Sequence, residues 1–116
     1  LNAYTGVLLS LLGDPDAPDA DSELKRFGYG TTPVADPASY ATKRELLDRF
    51  KERNARAAAL VAEKHADSFS RPAPEKFRSW SPTIAHIAIT LLIAHPPHHL
   101  GQLNQWRRAA GLAPRS

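Results

Sequence analysis

Three histidines stand around two consecutive prolines in "AHPPHHLGQLNQWRR", residues 94–108. Neutral imidazole is the commonest protein ligand for a divalent metal and also a proton carrier near neutral pH. His95 and His99 are four residues apart, the spacing at which rings on successive turns of one helix converge on a single ion. His98 offers an i+3 alternative to His99, nearer the edge of the same face. His86 lies nine residues before His95, half a turn out of phase, and reads as a surface or packing residue. His65 falls at the end of the preceding helical pattern, where the helix dipole favours an imidazolium and capping accounts for it. The chain contains no cysteine, so a metal must be held by His, Asp or Glu, and any thiol chemistry needs a thiol from outside. Two histidines are one ligand short of a catalytic zinc set.

Pro96 and Pro97 remove the backbone bonds to the carbonyls of Leu92 and Ile93, at about 3 kcal/mol each in a regular helix interior. The helix is therefore expected to kink or restart between Leu92 and His98. A restart would turn the prolines into first-turn residues, where a missing N–H is harmless.

The elements that must position these groups are legible as helical periods. Leu1, Tyr4, Leu8 and Leu11 with Leu12 recur at helical spacing, and Gly13 followed by "DPDAPDAD" ends the pattern. Residues 14–41 hold Pro15, Pro18, Pro33 and Pro37 with Gly28 and Gly30. They read as a long ordered connection with a short helical turn around Leu24 to Phe27. Thr42 and Glu45 form a capping box. After it Leu46, Leu47, Phe50, Asn54, Ala57, Ala58 and Val61 define an amphipathic helix of about 24 residues, to about Ala66. "DSFSRPAPEKFRSW" reads as loop. Ser81-Pro82 resembles an N-cap with proline at N1, opening a last helix that runs to Ala110 and closes at Gly111, with Pro114 beyond. On that helix Ile84, Ala88, Leu91, Leu92, His95, His99, Gln102 and Trp106 share one stripe, so the two histidines are expected to face the interior.

No strand alternation competes, and the fold class is all-α. One domain spanning 1–116 is expected for 116 residues. The chain has no methionine and starts on an uncapped apolar segment, which leads to the expectation that an N-terminal helix precedes Leu1 and is missing from this chain. With that helix added, the pattern fits an antiparallel four-helix bundle with a long crossover. Fifteen Lys and Arg against twelve Asp and Glu give a net charge of +3, but the signs are interspersed as on a solvated helix face. No nucleic-acid partner is expected. The longest apolar run, "IAITLLIA", is far too short for a bilayer span, and no signal segment opens the chain, so the expected location is cytoplasmic without a membrane partner.

"HPPHHLGQLNQWRRAAGL" resembles the closing motif of the DinB-like (YfiT-like) metal-dependent four-helix bundles. There an H-x-x-x-H pair precedes Gly-Gln-hydrophobic, an aromatic and a basic pair. "FGYGTTPVADPASYATKRELLDRF" is similar to the crossover of that family. The resemblance implies that His95 and His99 are metal ligands. It implies a third histidine immediately before Leu1, because "LNAYTGVLLSLLG" is similar to the continuation of the segment that carries it. Gln102 and Trp106, with His98 beside them, are implied to orient ligands or substrate. The implied cofactor is a divalent metal, zinc or nickel, with open positions. The implied activity is a thiol S-transferase-like or hydrolase-like one on a small-molecule substrate, with a low-molecular-weight thiol as partner and a homodimer as assembly. The competing expectation is a metal-free helical binding or dimerisation module whose histidines are polar core residues.

Overall fold

A computed structural model describes residues 1–113; Pro114 lies outside the described residues. The first helix, α1 (Asn2–Leu11), buries Ala3, Thr5, Gly6, Val7, Leu8 and Leu9. Burial on nearly every side marks it as the central element rather than a surface helix. Around it pack α2 (Ala20–Phe27), α3 (Lys43–Glu63) and α5 (Ile84–Ile89), together with the π-helical turn Thr90–Ala94 that continues α5. The short α4 (Asp67–Ser70) leans on α5, and α6 (His95–Ala109) continues from the π turn. The core joins Val7, Leu8, Leu9 and Leu12 of the first segment to Ala57, Leu60, Phe77, Ile84, Ile87, Ala88 and Leu91. Among the described residues the regular structure is helical apart from an isolated antiparallel bridge between Pro72 and Thr83. No helix among them is long and apolar enough to cross a membrane.

The ends of the helices follow from local chemistry. Gly13, at φ +76°, lets its own N–H reach Ser10 and that of Asp14 reach Leu9, both at 3.0 Å, which satisfies two free carbonyls at the end of α1. Gly111, at φ +70°, does the same for α6 through Arg108 and Arg107. The capping box forms as expected. Thr42 Oγ1 accepts from Glu45 N at 3.3 Å, and Glu45 Oε2 accepts from Thr42 N at 2.7 Å. The connection is more ordered than a single turn: α2 spans eight residues behind an Asp19 cap, and a 3₁₀ turn covers Pro37–Ser39.

Three expectations are corrected. The last helix starts at Ile84 with Thr83 as its N-cap, because the Pro82 carbonyl accepts from Ala73 N and draws residue 83 into extended backbone; Ser81 is fully enclosed instead. Helix α3 ends at Glu63, where Lys64 turns extended. Its inner face is carried by Ala57 and Leu60, whereas Leu46 and Leu47 are 40% and 46% exposed. The reason is reach: α1 covers only the second half of α3, and the first half touches it through Asn2 Nδ2, which donates to the Leu46 carbonyl at 3.0 Å.

Polar ties set the direction of the packing. Arg53 donates to both oxygens of Glu23 at 2.7 and 2.9 Å and to the Asn2 carbonyl at 2.7 Å, fastening α3 to α2 and α1. Gly6 permits this approach, since a Cβ there would stand 2.9 Å from Pro18 Cγ and 3.1 Å from Glu23 Oε2. At the other end of α1, Arg56 Nε donates to Asp14 Oδ2 at 3.1 Å. Asn2 thus lies beside Leu46 and Asp14 beside Arg56, so α1 and α3 run in the same sense. The connection 14–42 is what returns the chain to make that possible.

Hydrogen bonding from Arg56 holds the Asp14 carboxyl below its usual range. A lowered folded-state pKa gives stability that is complete above the unfolded value, about 3.9, and is lost as pH falls through the lower folded one. Asp14→Asn is therefore expected to lower the melting temperature at pH 7 by a margin that closes in acid. Thermal melts of both proteins between pH 7 and pH 2 measure it.

Candidate metal centre

The π turn decides where the histidines point. The His95 N–H bonds to the Thr90 carbonyl, five residues back rather than four. Pro96 and Pro97 then occupy the first turn of α6, where no intrahelical donor is required. The expected break between Leu92 and His98 is thus realised as a change of hydrogen-bond register. The chain absorbs two prolines without leaving the helix, and π turns of this kind concentrate at functional positions.

Beyond the turn His95 and His99 face each other, with Nε2 atoms 2.9 Å apart and ring centroids 4.4 Å apart. Both are half-buried. Tyr4 of α1 meets His95 edge to face at 5.1 Å, and its hydroxyl accepts from the Tyr29 N–H of the connection at 3.2 Å. Burial, reinforced by His99, the Leu1 amino group and His98, pushes the His95 imidazole down to about 4. Burial and the same amino group also push His99 down, with Gln102 acting in the opposite sense. Both rings are therefore neutral at pH 7. At this distance one Nε2–H donates to the other ring's Nε2 lone pair, the tautomers setting which ring donates.

The remaining candidates sit around this pair. His98 is exposed, with Nε2 3.2 Å from Gln102 Nε2, so Gln102 lies between two histidines. Gln102 is itself exposed, and Trp106 is 61% exposed; the stripe expected to stay inward from Ile84 to Trp106 turns outward after His99. The physical reason is that α6 outruns α1: no residue of α6 is buried, and Leu100 and Leu103 are 59% and 55% exposed. His86 is exposed on α5 with Nδ1 2.8 Å from Thr83 Oγ1. His65 does not cap α3. It lies beyond the Lys64 end with Nδ1 3.3 Å from Asp67 Oδ2. Tyr4 was not legible as a site residue, because its contact with His95 spans the whole chain and α1's periodicity marks it only as apolar.

Two nitrogens that share an ion at about 2.0–2.1 Å stand roughly 2.9–3.4 Å apart for ligand angles from about 90° to the tetrahedral value. The observed 2.9 Å falls at the narrow end of that window, so the pair fits two coordination positions. Among the described residues no group of three His, Cys, Asp or Glu gathers around one point, and the pair offers two nitrogens. The positive charge of the Leu1 amino group acts on both rings, and Tyr4, one turn further along α1, meets His95 directly.

Neutral burial has a measurable consequence. Unfolded, His95 takes up its proton near pH 6.5, while folded it does so near 4. The native state accordingly loses stability as pH falls from about 6.5 to about 4, by about 1 kcal/mol once solvent screening of a half-exposed ring is allowed for. Denaturant titrations across that range should show the slope, and His95→Ala should reduce it to the part that His99 contributes. No family model, curated protein or solved structure matches this chain.

Proposed function

We propose that the His95–His99 pair is the ligand core of a divalent metal site in a four-helix-bundle enzyme of the DinB-like kind. The observation that carries this reading is the pair itself: two neutral imidazoles with Nε2 atoms 2.9 Å apart, aimed by a π turn that makes two prolines tolerable. Tyr4 supports one ring from α1, and Gln102 and His98 stand at the rim. A third ligand entering from the position before Leu1 would complete a tridentate set. When bound, a zinc or nickel ion there supplies a Lewis acid that lowers the pKa of a thiol or water. The residues of the chain would hold the ion, with Gln102 and His98 positioned to hydrogen-bond a small-molecule substrate, and the absence of cysteine agrees with an external low-molecular-weight thiol. The parallel α1 and α3 joined by a long connection, with α5 and the π turn also packed on α1, support a reading as members of an antiparallel bundle that has a long crossover.

The metal-free alternative is a binding or homodimerising module. The exposed Leu100, Leu103 and Trp106 on α6 favour it. A zinc or nickel titration followed by calorimetry and thermal shift separates the two readings. The metal-site reading expects heat and a raised melting temperature at millimolar ion, both lost in His99→Ala with helix content unchanged; an identical response from His99→Ala removes the reading.

A further inference from the structure

At the far end of α1 from the histidines, seven residues or about 10 Å along the helix, lies a second concavity. It is an open concavity of about 390 Å³ lined by Leu11, Pro72, Pro74 and Ile84, with the exposed Arg71 and Arg78 at its edge. Among the described residues no acidic one lines it. The segment that carries the rim is held on both sides, because Ala73 N donates to the Pro82 carbonyl and Ile84 N to the Arg71 carbonyl, each at 3.0 Å. Among the described residues each arginine is tethered by one nitrogen only. Arg71 Nε donates to the Ser68 carbonyl at 3.1 Å, and Arg78 Nε to the Ala73 carbonyl at 2.7 Å. Among the described residues neither guanidinium has a carboxylate partner. The four terminal N–H-bearing nitrogens are left to a ligand.

We infer that this concavity binds an organic acid: a carboxylate held by Arg71 and Arg78 and an apolar body seated on Leu11 and Ile84. The guanidinium fork matches a carboxylate edge. Tethering through Nε fixes its plane before the ligand arrives, which lowers the ordering cost of binding. An apolar surface with a few placed polar groups is the rule at small-molecule sites. An inorganic anion alone would leave the apolar surface unused, and a neutral apolar molecule would leave the two guanidinium groups without an anionic partner. The site is separate from the histidine pair and does not depend on a metal there.

The test uses 4-phenylbutyrate as probe, with 4-phenylbutanol as its uncharged counterpart and acetate as the headgroup alone. Two-dimensional NMR of the full chain should show phenylbutyrate moving the Ile84 methyl and both arginine Nε–H signals together. Binding should weaken at least ~tenfold for phenylbutanol, for acetate and for Arg71→Gln. Raising salt should weaken phenylbutyrate and leave phenylbutanol unchanged, a comparison that needs no variant. Equal binding of acid and alcohol, equal binding of acetate, or no movement of these signals at millimolar phenylbutyrate overturns the inference.

Discussion

Leu8→Ala is expected to cost about 3 kcal/mol, within the roughly 2–5 kcal/mol span of buried leucine truncations, and to lower the melting temperature by about 12 °C for a chain of this size. Leu8 is fully enclosed on the central helix, and it belongs to the cluster that joins α1 to α3, α5 and the π turn. Truncation removes its transfer free energy and leaves a cavity that neighbours on several elements cannot all close. Two comparisons isolate the cause. Leu8→Met keeps the volume and should cost less than about 1.5 kcal/mol. Leu103→Ala, on the exposed face of α6, should stay within about 0.5 kcal/mol. Chemical denaturation of the three proteins measures the ranking, and equal losses for Leu8→Ala and Leu103→Ala would place the core elsewhere.

The second large effect is on metal affinity. Adding a histidine immediately before Leu1 is expected to raise affinity for zinc or nickel by roughly 100-fold or more, because it converts two imidazole ligands into three. An added alanine should change nothing, and combining the added histidine with His99→Ala should cancel the gain. The expectation rests on helical spacing, because the position before Leu1 is one turn ahead of Tyr4, whose ring meets His95 at 5.1 Å. Calorimetric titration of the four proteins checks it; a gain that survives His99→Ala would mean the added histidine binds metal on its own.

Signals confined to a few neighbouring residues are those the sequence makes legible. The Thr42–Glu45 box, the glycine stops at Gly13 and Gly111 and the i, i+4 histidine pair all depend on contacts within one or two turns. Readings that depend on distant chain are the ones that fail. Which half of α3 is buried depends on where α1 ends, and which residue caps α5 depends on Ala73 claiming the Pro82 carbonyl. Asp14 and Arg56 are 42 residues apart, and no spacing announces such a partner. The prolines are an intermediate case. Their missing donors forecast a disturbance before His98, but not its form, a π turn that closes on the Thr90 carbonyl. The outward turn of Gln102 and Trp106 has the same origin, since periodicity fixes a face and only the length of the neighbouring helix fixes what that face meets.

The central claim is that the Nε2 atoms of His95 and His99 hold one divalent ion between them. Long-range proton–nitrogen NMR of the imidazole rings, recorded at saturating zinc, tests it most directly. The expected result is that His95 and His99 both move to metal-bound Nε2 shifts while His65 and His86 stay in place. Metal-bound shifts at only one of the pair, or equal movement of all five histidines, would contradict it.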